Sequence, residues 1–261
     1  MNMRWTVALL FAVAGARAQD APQGTSPVVP RARPHVATNA VTWFTYGGEH
    51  PLTRRLRLVL DETVRRADGV RVWQQLEASQ GVTYVVRDGI ELTSGYAYIA
   101  TFPYGDLPVP ARRPEHRLWE EVELARRTGR VAWESRTRVE HRWIGSPDMA
   151  LSTIADDRWR EATRLRQRLG ATIPLLGAGT GDAWYLAPNV EAFLRVAPDA
   201  GVGGFLEETR TAVALGSRVG RHTRIEVGYL YQLARRAAGR EQERNHPLLL
   251  ALRSDVPFSR R

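Results

Sequence analysis

Two sets of side chains in this chain have the types and spacing to do chemistry: a ladder of arginines, and a scatter of histidines near serines and acids. Arg136, Arg138 and Arg142 alternate with Glu134 and Glu140 on one parity, and Arg158, Arg160, Arg164, Arg166 and Arg168 repeat the spacing further along. A ladder of guanidinium groups along a channel wall favours anions, so small anionic solutes are the ligand class it would take. The alternative is that glutamates such as Glu134, Glu140, Glu121, Glu123 and Glu191 pair with these arginines and fill the space. Narrow barrels tend to have filled interiors, which favours the filling.

The histidines, at positions 35, 50, 116, 141, 222 and 246, are dispersed and none shows a metal-ligand spacing. A hydrolase needs a serine, a histidine and an acid converging so that each activates the next. His141 with Ser135, and His116 with Glu120, are the pairings that can be drawn, but Ser135 and His141 are six residues apart on one stretch. No catalytic residue, metal ligand or cofactor site is assigned. Gly201, Val202, Gly203 and Gly204 lack the following helix that a phosphate-binding loop requires and read as a flexible loop. Residues 103–114 read as an exposed, proline-rich loop, a surface available for ligand contact. The chain has no cysteine, which removes disulfides and thiolate metal sites.

The elements that must position these residues follow a two-residue period. In the stretch from Val131 to Trp143, one parity carries Val131, Trp133, Ser135, Thr137, Val139, His141 and Trp143, and the other carries Ala132, Glu134, Arg136, Arg138, Glu140 and Arg142. A charge facing lipid at the bilayer midplane costs about 2–4 kcal/mol, so the second set must face water. Trp133 and Trp143 are ten residues apart. At about 3.3 Å per residue and a tilt of about 40°, that is roughly 25 Å along the bilayer normal, the distance between the two aromatic girdles of an outer-membrane barrel. Trp159, Thr163, Leu165, Leu169, Ala171 and Ile173 are the outward set of the next strand; Trp159 joins Trp143 at one rim, while Trp184 joins Trp133 at the other. Further outward sets are Leu56, Leu58, Leu60 and Val64; Leu186, Val190, Ala192 and Leu194; Ile225, Val227, Tyr229 and Tyr231; and Leu248, Leu250 and Leu252. Glu62, Glu120 and Glu161 fall on the outward parity as well and require a bulge, a rim position or a shift of register.

Residues 1–18 read as a signal peptide, with Arg4 before an apolar stretch too short to span a bilayer and Ala16-Arg17-Ala18 as the cleavage site. Residues 19–39, rich in Pro, Ala, Thr and Ser and without a period, read as a flexible arm. From residue 40 to 261 the chain reads as one barrel domain. Candidate strands lie at 40–49, 54–66, 70–85, 89–101, 115–126, 130–143, 158–173, 183–196, 204–218, 222–235 and 243–256. Tight and long joints alternate, as in outer-membrane barrels, with two exceptions: residues 67–69 are short where a loop is expected and 174–182 long where a turn is expected. Residues 53–66, 117–127 and 156–169 also satisfy a helical period, but tight turns to antiparallel neighbours require strands on both sides. All 37 basic side chains are arginine and the net charge is +9. Nucleic acid is nonetheless not the expected partner, because the chain is exported, the arginines are spread along strands, glutamates accompany them, and no recognised nucleic-acid motif is present.

Asn39 to Arg66, with Trp43 early, a tight turn, then Leu56-Arg57-Leu58 leading to Glu62 and Arg65, resembles the opening hairpin of a bacterial outer-membrane barrel family known as domain of unknown function 2490. Glu208-Thr209-Arg210, Ser217-Arg218-Val219-Gly220, Ile225-Glu226-Val227-Gly228-Tyr229 and Asn245-His246-Pro247-Leu248-Leu249-Leu250 resemble its closing strands. The resemblance covers nearly all of the mature chain. It implies an outer-membrane barrel and carries over no catalytic or ligand-binding residues. Many such barrels end on an aromatic used in assembly, whereas here Phe258 is followed by Ser259, Arg260 and Arg261.

The expected fold is therefore an all-β, antiparallel transmembrane β-barrel. Eleven candidate strands is an odd number and bacterial single-chain barrels are even, so twelve strands are expected, with part of residues 29–38 as the twelfth, and ten next. The girdle residues are Trp133, Trp143, Trp159, Trp184, Tyr229 and Tyr231. The expected location is the outer membrane, and the expected partners are its lipid and the barrel assembly machinery. The expected role is a narrow pore or a structural element; an outer-membrane enzyme modifying lipid or lipopolysaccharide and a secreted soluble β-protein binding a partner are the alternatives.

Overall fold

The two-residue period becomes a closed sheet in the computed structural model, which describes residues 35–146, 158–175, 184–196, 205–236 and 240–257. The strands are β1 (His35–Pro51), β2 (Leu56–Ala67), β3 (Val72–Arg87), β4 (Ile90–Thr101), β5 (Arg113–Thr128), β6 (Val131–Gly145), β7 (Trp159–Pro174), β8 (Trp184–Arg195), β9 (Leu206–Arg218), β10 (Thr223–Arg236) and β11 (Glu241–Ser254). Each strand hydrogen-bonds to the next in chain order, and β1 closes the barrel against β11. Of the three stretches that also fit a helical period, residues 56–66, 117–127 and 159–169 lie in β2, β5 and β7, and residues 156–157 lie outside the described residues. The leader (1–18), residues 19–34 of the arm, the loop 201–204 and Phe258 lie outside the described residues.

The expected count of twelve is corrected to eleven. An odd number of up-and-down strands brings the first and last together running the same way. The closing ladder is accordingly parallel, from His35↔Glu241 to Gly48↔Ser254. The arm is corrected with it, because residues 35–39 open β1. His-Val-Ala-Thr-Asn contains no large apolar or charged alternation, so its strand period does not register in the sequence. Its inward Asn39 is tied down by a side-chain hydrogen bond of 2.9 Å to Asn245 Oδ1.

The joint between β2 and β3, short on the rim that otherwise carries the longer loops, turns through three successive left-handed residues: Asp68 (φ 48°), Gly69 (φ 57°) and Val70 (φ 66°). Valine is poorly suited to that region. Arg66 holds the turn in place. Its guanidinium donates to the carbonyls of Val70 (3.0 Å) and Arg71 (2.9 Å) and lies 4.1 Å over the ring of Trp73.

Alternation separates two environments. Outward positions such as Trp133, Leu169, Val227 and Leu248 are half-exposed, while Trp43, Trp119, Phe193, Glu140 and Asn245 on the other parity are buried. The barrel interior is thus the core, and its composition is unusual for one.

Candidate functional site

The centre of that interior is Glu140, which is 0% exposed. It sits on β6 between the inward faces of β5 and β7, whose register sets Arg164 directly across from it and Arg117 across from the next inward residue, Arg142. Arg164 Nε donates to Glu140 Oε2 at 2.6 Å, Arg166 Nη1 to Oε1 at 2.8 Å, and Arg117 Nη1 to Oε1 at 3.4 Å. A buried carboxylate is stable only when paired and hydrogen-bonded, and three guanidinium groups supply this.

The network spreads in both directions along the barrel. Towards the long-loop rim, Glu115 accepts from Arg117 (2.7 Å) and bidentately from Arg142 (2.7 and 3.0 Å), and Glu77 pairs with Arg65 (2.9 Å). Around the barrel, Glu191 accepts from Arg166 at 2.8 Å and pairs with Arg210 at 3.6 Å; Arg210 in turn binds Glu208 at 2.5 Å. Towards the opposite rim, Arg138 pairs with Glu121 (2.8 Å), Arg136 with Glu123 (2.9 Å) and Arg168 with Glu134 (3.4 Å). Aromatic faces fill the gaps between charges: Arg138 lies 4.0 Å over Trp119, Arg65 4.0 Å over Trp43, and Arg210 4.4 Å over Phe193. Such cation–π contacts gain strength when desolvated.

On the long-loop side, the β4–β5 joint sends one of its side chains into the interior. That joint, expected as an exposed proline-rich loop, is exposed at Pro103, Gly105, Asp106, Pro108 and Pro110, but Tyr104 departs from the expectation: it turns inward, is 8% exposed, and hydrogen-bonds Glu243. Burial, then the Glu243 carboxylate, push its phenol well above the ordinary range. Arg236 anchors the same loop through the carbonyl of Leu107 at 3.0 Å while pairing with Glu243 at 2.5 Å. What space remains in the interior is a cavity of about 500 Å³ lined by polar and charged groups, among them Arg113, Arg160, Arg195 and Glu207.

The ten interior candidates are distributed as follows. Glu134, Arg136, Arg138, Glu140, Arg142, Arg164, Arg166 and Arg168 all join this network through the pairs above. Arg160 lines the cavity near its mouth. Arg158 is corrected: β7 begins one residue later, and Arg158 is an exposed turn residue whose carbonyl accepts from Ser146. Sequence reading missed Glu77, Glu115, Arg117, Glu207, Glu208 and Arg210, and the inward aromatics Trp43, Trp119 and Phe193. The signal for Trp119 was its parity, shared with Arg117, Glu121 and Glu123.

Trp119 also explains two glycines. A Cβ at Gly95 would fall 2.4 Å from Trp119 Cζ2 and 2.5 Å from the Gln80 carbonyl oxygen, and one at Gly81 would meet the same ring at 2.9 Å. The indole lies flat against bare backbone. Gly95→Ala is therefore expected to destabilise the barrel by about 1–3 kcal/mol through overpacking, read as a lowered urea midpoint of the refolded protein; an unchanged midpoint would refute this placement of Trp119.

On the outer face, Trp133, Trp184 and Tyr229 are about half-exposed near the ends or middle of their strands, and Trp143 and Tyr231 are partly covered. Trp159 is buried at 9% exposure beneath His116, with ring centroids 4.9 Å apart. His116 also receives Tyr96 Oη at 2.5 Å, and the same arrangement recurs at His246 with Tyr229 at 2.7 Å. The structure does not bring the drawn catalytic pairs together as triads. Ser135 accepts from Gln167, and His141 lies 3.7 Å from Glu120. Glu62, Glu120 and Glu161 face outward without any local shift of register. Their neighbours are Gln80 (3.1 Å), His141 and the indole of Trp143 (3.2 Å).

No curated protein and no solved structure matches the chain. The family described as a protein of unknown function (DUF2490) matches residues 40–243, from the middle of β1 into β11. With most of the barrel inside that match, the chain belongs to the DUF2490 family.

Proposed function

We propose that this protein is an outer-membrane barrel acting as a closed structural element, its lumen filled by the arginine–glutamate network. The observation that carries the closure is Glu140, fully buried and held by three arginines from the flanking strands, with Tyr104 buried in the interior beside Glu243. Support for the membrane comes from the outer face, where Val213, Leu215, Val227, Leu248 and Leu252 are exposed on neighbouring strands, and from Trp133 and Trp184 near one rim with Trp143 near the other. Outer-membrane lipid is the surrounding solvent in this reading, and barrel assembly machinery would insert the chain after export.

The test is refolding into planar bilayers. The expected trace is flat, while unheated protein migrates faster than heated protein on a detergent gel. Conductance steps from folded protein would defeat the closure; release from cells without detergent would defeat the membrane assignment. One observation favours a second reading. Arginines outnumber acids in the lining of the remaining cavity, thirteen to seven, an excess that suits a small anion entering from the long-loop rim. Under that reading any current is anion-selective.

A further inference from the structure

The outer wall is not uniform around its circumference. Near the middle of β2, β3, β4, β5, β6 and β7 the outward side chains are Glu62, Gln80, Ser94, Glu120, Thr137 and Gln167. Near the middle of the other five strands they are Val190, Val213, Tyr229, Leu248 and Phe44, each 40–48% exposed, with Thr211 and Thr42 beside them. All six polar residues stand on consecutive strands, so they form one belt at one height. Its members touch: Gln80 donates to Glu62 (3.1 Å), Thr137 Oγ1 to Gln167 Oε1 (2.7 Å), Gln167 Nε2 to Ser135 (3.1 Å), and His141 stands 3.7 Å from Glu120. These bonds leave acceptors on both glutamates and one donor on Gln80, while both N–H groups of Gln167 are used, by Ser135 and by the Arg168 carbonyl at 3.3 Å.

We propose that this belt is an interface between copies of this chain, arranged around an axis parallel to the barrel. The proposal rests on the membrane reading, since hydrocarbon at mid-height cannot satisfy these groups and water could. Rotation about an axis parallel to the barrel preserves height, so the belt of one copy meets the belt of the next. The belt is self-complementary: its glutamates accept, and Gln80, Ser94 and His141 donate. Its width, six of eleven strands, exceeds one line of contact between two cylinders. A closed ring in which each barrel touches two neighbours uses it fully.

The test exploits the absence of native cysteine. Double variants Gln80→Cys with Gln167→Cys, and Glu62→Cys with Thr137→Cys, which place one cysteine towards each end of the belt, are treated with a short bismaleimide in native membranes, with the single variant Val213→Cys as the control on the apolar side. The mass of the wild type is measured in mild detergent in parallel. The expected result is a multiple of the monomer mass, with covalent dimers from belt cysteines and monomer from Val213→Cys. The combined variant Glu62→Leu, Gln80→Leu, Glu120→Leu and His141→Leu should stay folded, by its unheated gel mobility, and become monomeric. Folded wild type that is monomeric and uncrosslinked at every belt position overturns the proposal, as does an oligomer that survives the leucine variant. Failure of the membrane reading shows separately, as release of the chain without detergent.

Discussion

Replacing Glu140 by glutamine is expected to cost the barrel about 3–5 kcal/mol, the usual penalty for breaking a buried ion pair by removing one partner. The shape of the side chain survives; the shared counter-charge does not. Arg117 keeps Glu115 and Glu77 within 3.6 Å, and Arg166 keeps Glu191 at 2.8 Å. Arg164 has only Glu140 within salt-bridge distance among the described residues, and is left facing the ring of Phe193 as a buried, uncompensated cation. The measurement is a urea titration in lipid vesicles followed by unheated gel mobility and tryptophan fluorescence. Adding Arg164→Met to Glu140→Gln removes the orphaned cation and should recover a large part of the loss, because an apolar side chain of similar length is tolerated where an unpaired charge is not. A single variant as stable as wild type, or a double variant no better than the single, would show that Glu140 is not the keystone of this interior.

The barrel was legible because its two faces differ in the most direct way available, charge against hydrocarbon at every second residue. Val131 to Trp143 displays this without interruption, and its strand runs from Val131 to Gly145. The strand count was less legible. An evenness rule drawn from other barrels outweighed eleven visible periods, and the parallel closure depends on His35 to Asn39, whose small and polar side chains look alike on both faces. The interior was half legible. Arg136 and Arg166 announce themselves by parity, and Glu123 and Glu191 were expected among their partners and are; which carboxylate meets which arginine, and the part played by Glu77, Glu115 and Glu208, depends on register across strands. Register in turn depends on turn length, and the joint at Asp68 to Val70 is shorter than its position implied. Tyr104 was hidden for another reason: nothing local distinguishes a loop residue that turns into the interior from one that faces solvent.

The outward glutamates carry a related lesson. On parity alone Glu62, Glu120 and Glu161 called for a bulge, a rim position or a shift of register, and only Glu161 meets one of these, the rim. Each faces outward beside a donor on an adjacent strand, and Glu161 is the third residue of β7, at the rim. Residues that violate the pattern of a face mark what that face meets.

Removing the whole central layer should have the opposite outcome to removing Glu140 alone. In the variant Arg117→Ser, Glu140→Ser, Arg164→Ser and Arg166→Ser, every neighbouring carboxylate keeps an arginine: Glu115 keeps Arg142, Glu77 keeps Arg65, and Glu191 keeps Arg210. No buried charge is stranded, and the ladders that close the wall are untouched. The barrel is therefore expected to fold, with three arginines and a glutamate gone from its central layer and the vacated volume joined to the existing cavity. Water and ions would then gain room between Tyr104 and the layer of Arg138 and Glu121, beside the inward rings of Trp119 and Phe193. Adding Tyr104→Ala removes the buried phenol ring above. The five-fold variant in planar bilayers is expected to give discrete conductance steps where the wild type is silent, and the four-fold variant fewer or smaller ones. Folded five-fold variant with a flat trace would place the seal elsewhere, at the level where Arg136, Glu123, Glu134 and Arg168 span the barrel near the short-turn rim. If even the wild type conducts, the charged interior is a path, and its pairs are gates within it.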